Sequence, residues 1–403
     1  MSLEKSKLYR LPWALNDNPI GWLEVTDVCN MHCEGCYRQH LSGHKSLDEI
    51  KEEVRLFKQW RNCDNISIAG GEPLVHPKIL EIVAHISESG LKPILLSNGA
   101  KLDRPLLEEL KRAGLDGFTL HIDSQQARPG WTGKNEGELN ALREHYADLI
   151  ADVGGMSVIF NSTVYPSTFE QIPDVVRWGQ QHIERVQGLV FITYRTATTD
   201  LVGQTHTGQT VDLGELSYTA ETFDEEFVLS NDIHALIQKH IPEYDAACYL
   251  GGTVKTTSFK WLMGAVIGSR HKLYGAVGPK TMELGQTFHH LFRSRYMAYL
   301  ANSRIGKKLF LLGLWDPAVR HAASRFMRDV LARPSRILDD IHVQAIGIIQ
   351  APDLLPDGRV DMCDSCPDMT WYNGQLINSC RMDELRLFGE FLTVTTAEKS
   401  QET

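Results

Sequence analysis

The chain has 403 residues, with 41 Lys and Arg against 51 Asp and Glu and a formal net charge of −10. That length suits one large catalytic domain with a substantial C-terminal extension. No apolar run of about 18 residues reads as a transmembrane helix, and the charged start, Met1–Arg10, has no signal-peptide core. Eight cysteines without a secretory signal fit metal ligation in a reducing cytoplasm better than a disulfide framework.

The first apolar run, Ile20–Thr26, predicts a strand. It is followed by Cys29-Asn30-Met31-His32-Cys33-Glu34-Gly35-Cys36, which sets three thiols at spacings of four and three along a loop. Closed structural zinc sites and ordinary iron–sulfur clusters take four protein ligands. Three thiols this close can instead hold three irons of a [4Fe–4S] cube and leave the fourth iron open to a small molecule. A zinc site completed by His32, or a disulfide plus a spare thiol, are the alternatives on these residues alone.

Ser46 and Glu49 form a capping box that opens a helix to Trp60. The next strand, Asn65–Ala69, ends in Gly70-Gly71-Glu72-Pro73. Strand and helix patterns then alternate. The strands are Pro93–Ser97, Gly117–Ile122, Ser157–Val164 and Leu189–Tyr194, and the helices are Pro77–Ser89, Arg104–Ala113, Glu136–Ala151 and Thr168–His182. Pro77 and Pro105 suit first-turn positions, and Gly90 and Gly114 suit helix ends. Polar residues fall at the strand ends in series: Ser97-Asn98-Gly99, His121-Ile122-Asp123-Ser124, Asn161 with Thr163, and Tyr194-Arg195.

The cysteine loop after the first strand and the Gly-Gly-Glu-Pro turn after the second resemble the radical S-adenosylmethionine superfamily. The resemblance covers about the first half of the chain. It implies an α/β fold, an open (β/α)6 partial TIM-type barrel with its chemistry at the C-terminal strand ends. It further implies a [4Fe–4S] cluster on Cys29, Cys33 and Cys36, with S-adenosylmethionine chelating the open iron. Gly70, Gly71, Glu72 and Pro73 then line the methionine amino group. Ser97, Asn98, Asp123, Ser124, Asn161 and Arg195 are expected around the ribose and the methionine carboxylate. The residue before the third cysteine is usually aromatic in that family; here it is Gly35, which leaves Tyr37 or His32 to pack against the cofactor. The implied reaction is reductive cleavage of S-adenosylmethionine to a 5′-deoxyadenosyl radical that abstracts hydrogen from a C–H bond, fed by a flavodoxin or ferredoxin-type donor.

Residues 196–232 are rich in Thr, Gly and Asp and read as a connector or lid. The next stretch, Lys255 to Arg336, carries fifteen Lys and Arg against Glu283, Asp316 and Asp329, which leaves the remainder strongly acidic. Leu284, Phe288, Leu291, Phe292, Tyr296, Tyr299 and Leu300 recur there at helical spacing. Two readings follow: cationic helices packed on an acidic barrel, or contact with an anionic, partly apolar partner such as a lipid phosphate or the membrane surface. No single-strand platform or reading helix supports nucleic acid.

Near the end, Cys363-Asp364-Ser365-Cys366 and Cys380 flank a hairpin whose Asn373-Gly374 predicts a type I′ turn. Folding it brings the three thiols together, with Cys248 as the natural fourth ligand and Cys63 as a core thiol. The arrangement is similar to the shortened auxiliary-cluster (SPASM or twitch) domains of radical S-adenosylmethionine enzymes, implying an auxiliary [4Fe–4S] cluster, with a zinc knuckle as the alternative.

The expected organisation is a partial barrel over 15–196, a connector over 197–247, and a mostly helical region with the cysteine hairpin over 248–393. A disordered tail is expected over 394–403. The expected substrate is a lipid-like or phosphorylated small molecule. A peptide maturase, a radical methyltransferase and a non-catalytic metal-binding scaffold are the alternatives, and the expected location is the cytoplasm, at the membrane surface if the basic stretch binds lipid.

Overall fold

The computed structural model describes all residues except 1–2, 39–41, 195–200, 214–215, 217–227, 300–303, 356 and 397–403. After a short strand β1 (Tyr9–Arg10), strands and helices alternate: β2 (Ile20–Thr26), α1 (Leu47–Trp60), β3 (Asn65–Gly70), α2 (Ile79–Glu88), β4 (Lys92–Ser97) and α3 (Arg104–Arg112). The series continues with β5 (Gly117–His121), α4 (Asn140–Val153), β6 (Ser157–Val164), α5 (Ile172–Gln181) and β7 (Gly188–Thr193). Strands β2 to β7 pair in parallel in chain order. Helix coverage buries their outer faces, which is why they read as nearly continuous apolar runs. The Ser46–Glu49 capping box opens α1 as expected, and the structure adds the Asp103 carboxylate as the cap of α3. Helix α1 presents Ile50, Val54 and Phe57 to the sheet, where they join Leu23, Ile66 and Ile68 in the core.

The sheet does not stop at β7. After β8 (Leu201–Gln204), β9 (Thr210–Val211) and α6 (Ser230–His240) come β10 (Cys248–Gly251), β11 (Phe259–Ser269), β12 (Lys272–Ala276), α7 (Pro279–Arg293), α8 (Pro317–Ala332) and β13 (His342–Ile349). Strand β13 pairs in parallel with β7, β11 runs antiparallel beside it, and β10 and β1 complete that edge. The region expected to be mostly helical therefore supplies four strands of the eleven-stranded sheet. Strand β11, buried along most of its length, lacks the alternation that identifies a half-exposed strand in sequence. The helical stripe is also shorter than its pattern: α7 ends at Arg293, where Ser294 turns left-handed.

The sheet remains open, and the last part of the chain bridges its two edges. This part comprises β14 (Asp353–Leu354), β15 (Val360–Asp361), the hairpin β16 (Met369–Tyr372) and β17 (Gln375–Asn378), α9 (Met382–Phe388) and β18 (Thr393–Thr396). On the β10 side, Cys363 bridges to Gly252, Asp364 N–H donates to the Gly251 carbonyl, and Arg10 pairs with Asp364 at 2.8 Å. On the β2 side, the fully buried Arg61 guanidinium donates to the carbonyls of Cys366 at 2.6 Å, Pro367 at 3.0 Å, Ile20 at 2.7 Å and Leu15 at 3.2 Å. Burial draws Arg61 down to about 10, which leaves it charged at neutral pH. Trp371 of the hairpin meets Phe57 edge-on, and Asn373 and Gly374 both adopt the positive φ of a type I′ turn.

A second buried arginine, Arg38, joins the cysteine loop to α9 through Glu24 at 3.1 Å, Asp27 at 3.4 Å and Asp383 at 3.0 Å. Residues 394–396, expected to fall in a disordered tail, belong instead to β18, which pairs with β8 and buries Val394; the rest of that expected tail lies outside the described residues. Strands β8 and β9 likewise give regular structure to part of the connector.

Replacing Arg61 with Met leaves several buried carbonyls without a donor, so stability is expected to fall by about 3 kcal/mol or more. Thermal unfolding checks this, and an unchanged melting temperature would contradict the anchoring role.

Candidate metal and cofactor site

The cysteine loop lies at the C-terminal end of β2 and is braced by backbone contacts. Gly71 N–H donates to the Thr26 carbonyl at 2.7 Å, and Glu72 N–H to that of Val28 at 2.8 Å. Any Cβ on Gly70 or Gly71 would stand 2.3 Å from those same carbonyl oxygens, so the paired glycines are required by close backbone approach. The Glu72 carboxylate then gathers the next strand end, accepting from Leu74 N–H at 2.9 Å, Ser97 Oγ at 2.7 Å and Asn98 N–H at 2.7 Å. Burial raises its carboxyl above the ordinary range despite these donors. Asn98 completes the brace by donating to Asn30 inside the cysteine loop at 2.8 Å.

The far side of the loop rests on β5 and β6. His121 Nε2 sits 2.7 Å from Asp123, and Thr163 N–H approaches the same carboxylate at 3.3 Å. Burial works to raise the Asp123 carboxyl, but the His121 contact and the Gln125 and Thr163 N–H groups hold it below the usual range. Gly35 N–H donates to Tyr165 Oη at 2.8 Å, and a Cβ on Gly35 would meet that oxygen at 2.6 Å. Tyr165 therefore occupies the space beside the position where the family usually has an aromatic residue, a part for which Tyr37 or His32 was expected. Its ring packs at 4.8 Å from that of Tyr194.

Both groups of thiols line one cavity of about 270 Å³. Cys29, Cys33 and Cys36 contribute on the barrel side, and Cys363, Cys366 and Cys380 on the side of the bridging segment. Gly70, Gly71, Glu72, Ser97, Asn98, Asn161 and Tyr37 face the same space. Burial pushes the Cys33 thiol up to about 12 and raises Cys29 and Cys36, so ligation here has to displace protons.

The remaining expected residues lie elsewhere. Asp123 supports His121 behind the cavity wall, Pro73 is buried in the turn, and Ser124 lines a separate outward opening with His32 and Cys33. Arg195 lies outside the described residues. Cys248 does not join the other thiols: it packs with Leu11, Trp13 and Leu250, because residues two apart on β10 share a face and that face is apolar. Cys63 is a core thiol, as expected. Three positions escaped the sequence reading. Asp368 lines the cavity and acts on Cys366, and burial holds its carboxyl at about 7, making it an oxygen donor beside the second thiol group. The proximity of a Cys-x-Asp to a metal site was the available signal. Arg128, buried and donating to the Asn98 carbonyl at 2.6 Å, and Tyr165 had none, since their roles depend on contacts distant in sequence.

This arrangement defines a class: an α/β partial barrel whose strand ends hold a three-thiol loop braced by a glycine turn. Residues 23–179 match the profile of the Radical SAM superfamily, so the chain carries a radical SAM domain there. It is 27% identical over 165 residues to GTP 3′,8-cyclase of Marinobacter nauticus, covering 40% of this chain and 49% of that one. It is 26% identical over 175 residues to PqqA peptide cyclase of Xanthomonas campestris, covering 40% and 45%. The chain thus spans about half the length of these curated relatives. Streptococcus suis SuiB is similar in structure at 15% identity and a TM-score of 0.42, over 58% of this chain and 49% of that one.

The residues present fit the superfamily's [4Fe–4S] cluster and S-adenosylmethionine. Three thiols of one loop, Cys29, Cys33 and Cys36, line the cavity beside the glycine turn, a donor set of the kind that holds iron–sulfur clusters. Asn161 Oδ1 and Trp22 Nε1 are buried at the cavity without hydrogen-bond partners, offering one acceptor and one donor to a polar ligand.

Glu72→Ala removes the acceptor that holds the turn to the third strand end, so cleavage of S-adenosylmethionine is expected to fall ~100-fold. Glu72→Gln, which keeps one acceptor oxygen, loses less; equal activity of the Ala variant and the parent would contradict the bracing role. Cys248→Ala is expected to leave iron and sulfide content unchanged while Cys380→Ala lowers both, by direct assay of the reconstituted protein.

Proposed function

We propose that the protein cleaves S-adenosylmethionine reductively at Cys29, Cys33 and Cys36 and removes hydrogen from a C–H bond of an apolar substrate. In this reading the substrate lies between the two thiol groups. The observation that carries it is the sharing of one cavity by the cysteine loop, the glycine turn and the three C-terminal thiols. The cluster and cofactor, when bound, supply one-electron cleavage to a 5′-deoxyadenosyl radical, chemistry that the side chains cannot perform alone. The chain's own residues hold and shield it. Glu72, Ser97 and Asn98 keep the cofactor-facing turn rigid, Asn161 and Trp22 offer polar contacts, and His121 is held in orientation by Asp123.

The walls support the lipid-like form of the expected substrate. Trp22, Ile192, Trp261, Ile349 and Pro352 give an apolar lining that excludes water from a reactive centre. Among the described residues no Lys or Arg lines the cavity to meet a phosphate. Cys363, Cys366 and Cys380 are read as ligands of an auxiliary [4Fe–4S] cluster, with Asp368 as the adjacent oxygen donor. A one-electron donor can approach through the second opening, where Cys33 is lined by His32, Glu34, Gln125 and Lys134.

Reconstituted and chemically reduced protein is expected to form 5′-deoxyadenosine and to carry about eight irons per chain. Complete absence of 5′-deoxyadenosine with both clusters intact would defeat the reading; about four irons with bound zinc would remove the auxiliary cluster only.

A further inference from the structure

Eleven of the sixteen large apolar side chains exposed among the described residues lie between Phe288 and Leu338, in the basic stretch and the two residues that follow it. Scattered exposed apolar residues are ordinary, but a concentration of this kind marks a contact surface. Its best-defined part follows α8. That helix buries Val319, Ala322 and Phe326 against Tyr274 and Val343, so the opposite stripe, Arg320, Ser324, Met327 and Leu331, faces outward at helical spacing. Met327 is 50% exposed and Leu331 79%.

The stripe continues at both ends. Arg320 donates to the carbonyls of Gly313 at 2.8 Å and Leu314 at 3.2 Å, which brings the exposed Leu314 and Trp315 to its start. These residues belong to, or directly follow, a 3-10 segment, Lys307–Leu314, whose Leu309 packs in the same cluster as Phe326. Beyond Leu331, a second 3-10 turn, Pro334–Leu338, is tied back to α8 by Arg336 and Asp329 at 3.9 Å and ends in Leu338, 81% exposed.

Part of the basic stretch is used structurally, as the packed-helix reading expected. Arg325 pairs with Glu243, Arg336 with Asp339, and the buried Lys260 with Asp353 and Asp361. Other cations are not used in this way. Lys307, Lys308, Arg328 and Arg333 are exposed and form no ion pair among the described residues. They flank the apolar stripe, while the nearby acids Asp316, Asp329 and Asp339 are engaged with caps or other cations. An apolar ridge with free cations beside it is the pattern of a monotopic surface: apolar groups enter the interface and cations meet lipid phosphates. Among the described residues no helix is long and apolar enough to cross a membrane.

We infer that the face formed by α8 and its two flanking 3-10 segments docks on the surface of an anionic lipid bilayer. The inference is independent of the chemistry in the cavity, and its test does not require substrate.

The full-length, cluster-loaded protein is mixed with phosphatidylglycerol-containing vesicles or with phosphatidylcholine vesicles, and the bound fraction is measured by sedimentation. Binding to the anionic vesicles is expected at low salt, with at least a tenfold loss at high salt. Each cation removed should weaken it about fivefold, so Lys307→Glu with Lys308→Glu reduces binding strongly. Leu331→Glu with Leu338→Glu, an independent pair on the exposed ridge, reduces it at low salt as well. Both pairs retain the parent's circular dichroism spectrum and melting temperature, which shows that the variants are folded. No binding to anionic vesicles at low salt overturns the inference, as does equal, salt-independent binding to phosphatidylcholine. Self-association that the ridge variants abolish, without vesicle binding, assigns the face to a second copy of the chain and likewise overturns it.

Discussion

The bridge across the open sheet depends on one buried cation. Arg61 donates to carbonyls at the start of β2 and at Cys366 and Pro367, residues more than 300 positions apart in the chain. A guanidinium without solvent is costly unless its donors are met, and here backbone oxygens from both parts of the fold meet them. The contact cannot be kept if either part moves away. It thereby holds the C-terminal thiols to the barrel edge, just as Arg38 holds the cysteine loop to α9 through three carboxylates.

This closure gives the cavity its character. A parallel sheet of β2 to β7 alone would leave the cysteine loop at an open mouth. The addition of β13, β11 and β10 on one side and the hairpin on the other encloses that mouth between two thiol groups. Apolar walls from Trp22, Trp261 and Ile349 then exclude water where reactive chemistry needs exclusion. Rigidity is concentrated near the first three cysteines, where Glu72, Asn98 and Tyr165 brace the loop from separate strands.

The legible parts of the chain were those specified by neighbours in sequence. Strands β2 and β6 have the bounds that their apolar runs predict, and the Ser46–Glu49 box and Asn373-Gly374 turn form where their chemistry requires. The cysteine loop and Gly-Gly-Glu-Pro turn were equally plain, since backbone approach demands glycine at Gly70 and Gly71. Less was legible after residue 250. Strand β11 is buried along most of its length, so its run carries no period that separates it from a helix. The pairing of Cys248 with the other thiols rested on composition, whereas the face it occupies was set by its register against β11.

By itself the sequence determined the six βα units, the three-thiol loop, the glycine turn and the existence of a second thiol group. These follow from spacing, capping and turn geometry, which act within a few residues. Only the tertiary structure decided that the two thiol groups share a cavity, that Asp368 and not Cys248 accompanies the second, and that the basic stretch leaves an apolar ridge exposed. Those facts depend on which edge pairs with which strand and which face is covered. Contacts between residues hundreds of positions apart settle both, and no local pattern encodes them.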